Sequence, residues 1–229
     1  MYEVDVLIPT ARVVFSVEGD SAEVLPEHRS PQAFGEYRRL RDERRVVGML
    51  TWPNTVLLRG SKTIVVDPGL PLQNEPVAKA LAARGLAVAD VDFVVLTHAH
   101  LDHAGACEEL AAPVVVHERE TRAPHWSHVV GMFDRSPLIR LSGASGEVVP
   151  GVRWALTPGH SVGHVSLAVE TETGVVAICG DTIGPLREEF DAMAPAEGSA
   201  AASLLRSWRL LRAWQPTLVI AGHLPPFSL

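Results

Sequence analysis

The chain has 229 residues, 47% of them hydrophobic, which predicts a single domain over residues 1–229 with a large buried core. The formal net charge of −7 argues against a protein whose main task is to bind nucleic acid, because that task normally needs a basic face. An acidic N-terminus and apolar runs too short for a membrane span favour a cytoplasmic protein. The sequence leaves the oligomeric state open, and a homodimer is compatible with it.

The first half of the chain predicts strands, a basic segment and one helix. Residues 28–47 are rich in arginine, and we interpret them as a solvated helix face rather than an anion-binding surface. Residues 75–84 predict a helix that ends at Gly85. Short runs of β-branched and apolar residues predict strands at 13–17, 55–59, 63–67, 91–96 and 112–117.

The second half begins with a polar and aromatic stretch at 121–136, which we interpret as a rim or lid. An amphipathic helix is predicted at 203–214. Strands are predicted at 138–141, 152–156, 165–169, 175–179 and 217–220. Because strands followed by a helix occur in both halves, the pattern indicates an α/β sandwich with helices on its outer faces.

Three histidines and one aspartate follow the predicted strand at 91–96 within six residues, in the run THAHLDHAG that starts at Thr97. Strand side chains alternate in direction, so His98 and His100 leave the strand end on the same side and can bind one ion. Asp102 and His103 follow on a turn that can face a second ion. A single loop histidine is usually solvated, but this density of ligand side chains predicts two adjacent metal positions.

Three later segments each place a ligand-type side chain just after a predicted strand. His160, Asp181 and His223 each follow a Gly directly, and in the first case a Pro-Gly pair. Tight turns of this kind hold the next side chain at a fixed angle. Each segment alone is a common pattern and weak evidence for a metal ligand. All three follow predicted strands, however, and functional sites commonly assemble from loops at strand ends.

Together these motifs resemble those of the metallo-β-lactamase fold superfamily, from about Asn54 to His223. The resemblance implies a four-layer αβ/βα sandwich with a dinuclear site at one edge of two facing sheets. It also implies that Asp181 bridges the two ions and that Asp67 and His164 support the ligands without binding metal. The remaining ligands are implied as His98, His100 and His160 for the first ion, and Asp102, His103 and His223 for the second.

Nitrogen and carboxylate ligands suit two Zn²⁺ ions, and Fe²⁺, Mn²⁺ and Co²⁺ accept similar sets. Two such ions can share a water and lower its pKa, so the sequence predicts a metal-dependent hydrolase that attacks with a bridging hydroxide. Asp102 and Asp181 are the predicted catalytic carboxylates. Asp102 is expected to accept a hydrogen bond from the hydroxide and to carry its proton to the leaving group.

The segment from Thr157 to Ser166 is similar to that of N-acyl homoserine lactonases, so a small-molecule carbonyl substrate, a lactone or a related ester, is the leading hypothesis. Those lactonases often carry a tyrosine shortly after the bridging aspartate, whereas the segment after Asp181 here is Thr182-Ile183-Gly184-Pro185, without a tyrosine. The residues predicted to contact substrate are Trp52, His125, Trp126, His128, Phe133 and Ile183.

Three alternatives stay open at this point. The C-terminal segment from Ala221 to Phe227 also resembles short single-domain members of the superfamily linked to RNA cleavage, so a phosphodiesterase or ribonuclease is the second hypothesis. A β-lactam or thioester hydrolase is the third, although Asp181 is atypical of true β-lactamases. A binding protein with a structural metal is the last, and it is disfavoured because structural zinc is usually closed by four ligands.

Overall fold

The computed structural model describes residues 1–18, 21–24, 46–71, 73, 75–184, 187–198 and 200–229. Residues 28–45 of the basic segment, and with them the predicted helix face, lie outside the described residues. Within the described ranges, no helix is both long and apolar enough to cross a membrane.

Nine strands of the described ranges precede residue 145. They are β1 (Glu3–Ile8), β2 (Ala11–Glu18), β3 (Ser21–Val24), β4 (Val46–Trp52), β5 (Thr55–Arg59), β6 (Thr63–Val66), β7 (Phe93–Val95), β8 (Val114–His117) and β9 (Leu138–Leu141). Six of them form one sheet in the order β1-β5-β6-β7-β8-β9. The pairs from β6 to β9 are parallel, and β1, β5 and β6 are antiparallel. The other three form a small antiparallel sheet in the order β3-β2-β4.

The second large sheet follows in chain order from β10 to β14. Its strands are β10 (Ser145–Val149), β11 (Val152–Leu156), β12 (Val165–Thr171), β13 (Gly174–Gly180) and β14 (Leu218–Ala221). Neighbours pair antiparallel except β13 and β14, which are parallel. The carboxyl ends of β11, β13 and β14 therefore lie at the same edge of this sheet.

Helices cover the outer faces of both sheets. They are α1 (Val77–Ala82), α2 (Leu101–Ala104), α3 (Arg187–Asp191) and α4 (Ala201–Ala213). Adjacent residues of one strand point to opposite faces. Leu57 accordingly packs in the cluster beneath α1, while Val56 and Leu58 pack between the two sheets. In the second sheet, Ile178 lies between the sheets and Cys179 packs against α4. This arrangement is the four-layer α/β sandwich that the sequence predicts.

Four strands were not predicted from the sequence: β1, β3, β4 and β10. The acids of β1 point outward, where Glu3 pairs with Arg59 and Asp5 pairs with Arg84, each at 2.8 Å. In β10, Gly146 leaves room for the side chain of Trp154, since a Cβ there would lie 2.9 Å from the indole nitrogen. Both β1 and β10 lie at the edges of their sheets, where charged and small residues are common.

Candidate metal centre

The loops that carry the predicted ligands lie just beyond strand ends, at the edge where both sheets present their carboxyl ends. His98 and His100 follow β7, and Asp102 and His103 lie on the one-turn helix α2 rather than on the predicted turn. The remaining three follow β11, β13 and β14, and they are His160, Asp181 and His223.

The seven side chains meet at this edge. Within each of three groups, one potential ligand atom per residue lies within 4.8 Å of the others. The groups are His98, His100 and His160; His98, His103 and Asp181; and Asp102, His103 and His223. The first and third groups are the two ligand sets that the resemblance implies, and the second joins them.

Asp181 lies at the centre of the cluster. Its Oδ2 is 3.4 Å from Nε2 of His160 and 3.5 Å from Nε2 of His223, and its Oδ1 is 3.3 Å from Nε2 of His103. On the far side, Nε2 of His223 lies 3.2 Å from Oδ2 of Asp102. The carboxylate of Asp181 thus faces histidines of the first and third groups at once.

Three atoms of the cluster test whether a metal fits. Among the described residues, Nε2 of His98, Nε2 of His103 and Oδ1 of Asp181 are buried without an aligned hydrogen-bond partner. A buried polar atom left unpaired costs about 1–3 kcal/mol. A divalent cation would satisfy all three, and nitrogen and carboxylate donors are the ligands that zinc accepts. The residues present therefore fit a metal ion.

Asp67 fixes the orientation of His103 from behind. Its carboxylate lies 2.9 Å from Nδ1 of His103, and it accepts from the backbone nitrogen and the hydroxyl of Thr97 at 2.8 and 2.7 Å. The backbone of Asp67 adopts a left-handed φ of 48°, which turns the chain directly after β6. With its Nδ1 proton held by Asp67, His103 presents Nε2 to the cluster.

Two threonines act in the same way on other histidines. The hydroxyl of Thr97 donates to Asp67 and lies 3.1 Å from Nδ1 of His98. The hydroxyl of Thr51 donates to a backbone carbonyl of Ala11 and lies 3.1 Å from Nδ1 of His223. Since both hydroxyls already donate elsewhere, each can accept the Nδ1 proton of its histidine, and Nε2 is then left as a free ligand atom.

His164 supports the backbone of Asp181 instead of joining the cluster. Its Nε2 accepts from the backbone nitrogen of Asp181 at 3.1 Å, and its Nδ1 lies 3.0 Å from the hydroxyls of Thr157 and Thr182. The ring is fully buried, and a Cβ at Gly180 would lie 2.8 Å from Nε2. His164 therefore fixes where Asp181 leaves β13.

Burial controls the protonation of the first group. It lowers the pKa of His98 well below the ordinary value, lowers that of His160, and lowers that of His100 to about 4. These three rings are therefore neutral at pH 7, which is the form that binds metal.

The second group carries charge. Burial alone would lower the pKa of His103, but the carboxylates of Asp181 and Asp67 outweigh it and raise this pKa well above the ordinary value. Burial alone would raise the pKa of Asp181, but the neighbouring charges of His223 and His103 lower it well below the usual range. In the metal-free protein, His103 is thus a cation between two carboxylates.

The residues predicted to contact substrate divide into buried and exposed sets. Trp52, Phe133 and Ile183 are 2%, 4% and 1% exposed, so they offer almost no surface to a ligand in this structure. Ile183 packs with Phe190 in the cluster beneath α4. Their substrate contacts stay predictions, with little accessible area to support them.

The predicted rim at 121–136 consists of short 3₁₀ turns anchored in the core. Trp126 is half-buried and stacks on Phe133, with ring centroids 5.0 Å apart. His128 is exposed. His125 reaches the cluster, because its ring centroid lies 4.6 Å from that of His100. Of this stretch, His125 is therefore the residue whose ring contacts a ligand of the candidate centre.

Glu120 and Thr51 contribute to the centre but were not predicted from the sequence. Glu120 is fully buried and accepts from the backbone nitrogen of Ala99, and Thr51 touches His223 from the small sheet. Neither residue stands in a motif with the ligands, and a lone glutamate in a charged segment is usually a surface residue. Only the fold brings them to the centre.

The chain is similar in sequence to several known proteins. The family model described as the metallo-beta-lactamase superfamily matches residues 53–223. Metallo-beta-lactamase domain-containing protein 1 of Mus musculus is 33% identical over 169 residues, which cover 72% of this chain and 61% of that protein. An N-acyl homoserine lactonase of Bacillus cereus is 27% identical over 157 residues, covering 66% of this chain and 63% of the relative. The chain thus spans about three fifths of the length of these relatives.

A solved structure gives the same fold. It is an N-acyl homoserine lactone hydrolase with the product N-hexanoyl-L-homoserine bound at its catalytic metal centre. It superposes with a TM-score of 0.65 at 22% identity, over 97% of this chain and 92% of that one. At this level of identity the likeness bears on the fold alone.

Proposed function

Because the chain belongs to the metallo-beta-lactamase superfamily, we propose that it is a dinuclear metal-dependent hydrolase that opens a lactone or a related small ester. The observation that carries the proposal is a group of three buried ligand atoms without an aligned hydrogen-bond partner among the described residues, which lie on His98, His103 and Asp181. Unpaired polar atoms of this kind are costly unless the functional state pairs them.

In the proposed function, two divalent ions are held by the seven side chains of the cluster. His98, His100 and His160 would hold the first ion, Asp102, His103 and His223 would hold the second, and Asp181 would contribute its carboxylate to both; the clustering of these side chains supports the assignment. Two bound ions would supply an activated water near neutral pH and would polarise the carbonyl of the substrate. Zinc is the expected metal, since histidine and carboxylate are its common ligands.

Asp102 is the residue best suited to carry the proton of the reaction. Its side chain is 24% exposed, more than that of Asp181 at 14%, so it is the more accessible carboxylate to substrate and solvent. Burial alone would raise the pKa of Asp102, but the hydrogen bond from His223 and the charges of His103 and His223 lower it. An ionised carboxylate can accept the proton that water loses and return it to the ring oxygen as the ester bond breaks.

The positions after Asp181 turn into the core. Thr182 is buried against Thr157, and Ile183 packs beneath α4. Neither side chain faces the cluster, so neither occupies the place of the tyrosine that related lactonases often carry there. Stabilisation of the substrate carbonyl would then fall to the ions themselves.

The choice of a lactone rests on relatives. The B. cereus protein, a lactonase by name, matches 66% of this chain. Lactone opening by such a site needs one water and releases a hydroxy acid, and the groups described above cover both the attack and the proton transfer. The native chain length and headgroup of the substrate depend on surfaces beyond the cluster.

A substrate panel tests the proposal. Zinc-loaded wild type and Asp181→Ala would be assayed on acyl homoserine lactones, a simple thioester, a chromogenic cephalosporin and bis-nitrophenyl phosphate. We expect metal-dependent lactone opening that is lost in Asp181→Ala. Cleavage of the phosphodiester without lactone opening would instead assign the protein to the nuclease alternative, and turnover of the cephalosporin or thioester alone would assign it to the third.

A further inference from the structure

Glu120 is a fully buried carboxylate that accepts four hydrogen bonds next to the first group of ligands. Its Oε2 accepts from the backbone nitrogen of Ala99 at 2.9 Å and lies 2.8 Å from Nε2 of His125. Its Oε1 accepts from the hydroxyl of Ser161 and the backbone nitrogen of Gly163, both at 2.7 Å. Full occupation of both oxygens is unusual for a residue that sequence places in a charged surface segment.

Three of the four partners lie on the two loops that carry the first group. Ala99 stands between His98 and His100, while Ser161 and Gly163 follow His160. The two loops are 60 residues apart in sequence, yet Nδ1 of His100 lies 3.0 Å from Nε2 of His160. Since Glu120 accepts hydrogen bonds from both loops, its carboxylate fixes the position of one loop relative to the other.

The fit around Glu120 is close. A Cβ at Gly163 would lie 2.6 Å from the backbone nitrogen of Glu120 and 2.9 Å from its Oε1. Burial alone would raise the pKa of Glu120, but the hydrogen bonds from Ser161, Ala99 and His125 lower it below the ordinary value. The group is therefore an anion bonded to the two loops that carry the three neutral histidines.

We propose that Glu120 is a positioning residue that selectively sets the affinity of the first metal position, formed by His98, His100 and His160, without binding the ion itself. The inference rests on the proposed dinuclear site. Its basis is that one buried anion ties together both ligand loops of this position, so the three rings are held in a binding arrangement before the ion arrives.

The second metal position has its own supports. His103 is oriented by Asp67, and His223 is oriented by Thr51, and none of these contacts involves Glu120. Loss of Glu120 should therefore weaken one position and spare the other. A residue with a merely structural role would weaken both positions or neither.

Glu120→Gln tests this separation, because glutamine keeps the size of the side chain but cannot accept at all four contacts. The NH₂ group of glutamine would take the place of one carboxylate oxygen, and that oxygen accepts two hydrogen bonds. Two of the four donors around residue 120 would therefore lose their acceptor. Glu118→Gln is the matched control, since Glu118 lies two residues earlier and makes an exposed pair with Arg122 at 3.0 Å. Ser161→Ala, which removes one of the four contacts, is a milder second variant.

The readout is zinc titration of each folded protein, followed by isothermal calorimetry and by NMR of ¹⁵N-labelled histidine rings. Wild type and Glu118→Gln should show two binding steps. Glu120→Gln should keep one step unchanged and weaken the other about 10- to 100-fold, which is typical for loss of an outer-shell partner. At limiting zinc, its His103 and His223 ring nitrogens should shift while those of His98, His100 and His160 do not.

Two results would overturn the inference. One is a Glu120→Gln protein with both steps as in wild type, and the other is a folded variant with both steps weakened equally. If Glu120→Gln does not fold, Ser161→Ala carries the test, with a smaller weakening of the same single step expected and two unchanged steps as the refuting result. Fewer than two steps in wild type would contradict the proposed dinuclear site itself, so the wild-type titration separates that failure from this one.

Discussion

Replacement of Asp67 by asparagine should switch the ring tautomer of His103 and cost affinity at the second metal position. One oxygen of Asp67 accepts from Thr97 and faces Nδ1 of His103 at 2.9 Å, and both residues are buried. Asparagine puts an NH₂ donor on one side of this carboxyl group. If that donor faces His103, Nδ1 must become the acceptor, and the ring proton moves to Nε2, where metal would bind.

The size of the effect follows from the hydrogen bonds that Asp67 makes. Disruption of an outer-shell partner of a ligating histidine typically costs 10- to 100-fold in metal affinity, or about 1.4–2.7 kcal/mol. Asp67→Ala would leave two hydrogen-bond donors of Thr97 and one of His103 without an acceptor. Because each unpaired buried donor costs about 1–3 kcal/mol, this variant should lose more stability than Asp67→Asn.

The assay is competition of each folded protein with a chromogenic zinc chelator. Asp92→Asn is the matched control, because Asp92 also accepts from a backbone nitrogen, that of Thr63 at 2.8 Å, but lies on the far edge of the sheet. Asp67→Asn should weaken one of two zinc affinities, and Asp92→Asn neither. Wild-type affinity at both positions in folded Asp67→Asn would refute the reasoning about tautomers.

Three further results are expected. Gly222→Ala should lose zinc affinity, because its Cβ would collide with Oδ1 of Asp181, whereas Gly184→Ala, with open space around its Cβ, should bind as wild type; equal affinity in both variants would contradict this clash. Zinc binding at pH 7 should release about one proton from His103, because the pKa of this ring is raised above the ordinary value. Calorimetry in buffers of different ionisation enthalpy measures the released proton. A binding heat that does not depend on the buffer would be evidence against the release. Removal of metal with a chelator should lower Tm and abolish hydrolysis, and zinc at 100 times its dissociation constant should restore about 2.7 kcal/mol of stability; an unchanged Tm would argue that the ions are not held by the folded site.

The sign of the pH dependence follows from the first group. In the metal-free protein the folded pKa of His100 is depressed to about 4, below its ordinary value of 6.5. Between these values the unfolded chain binds the proton and the folded one does not, so this histidine makes stability fall as pH drops from 6.5 towards 4. Zinc affinity should decline over the same range, because protons then compete for the ring nitrogens.

Local pattern was enough to predict most strands of the fold. The run at 63–67 became β6 and that at 112–117 became β8, because continuous β-branched and apolar residues suit strands buried on both faces. Strand β1 was not predicted because it contains Glu3 and Asp5, and acidic residues are unusual in strands. They are accommodated here because β1 is an edge strand, where both acids pair with arginines of other elements. Such pairing depends on tertiary neighbours, which local pattern does not contain.

In the candidate centre, too, some residues are recognisable from local sequence and others only from tertiary contacts. His98, His100, Asp102 and His103 are recognisable through their close spacing. The supports are not, because Glu120 and Thr51 reach the ligands only after the fold closes contacts between residues as far apart as Thr51 and His223. The buried environment of Trp52 and Ile183 was equally invisible in sequence, since exposure at a strand end is decided by what packs over it.

Native mass spectrometry of the zinc-saturated, desalted protein would test the central claim most directly. We predict two zinc ions per folded chain in wild type and a loss of bound zinc in Asp181→Ala, whose missing carboxylate faces histidines of both groups. A folded wild-type chain that retains no zinc, or an Asp181→Ala variant that retains two ions as firmly as wild type, would contradict this claim.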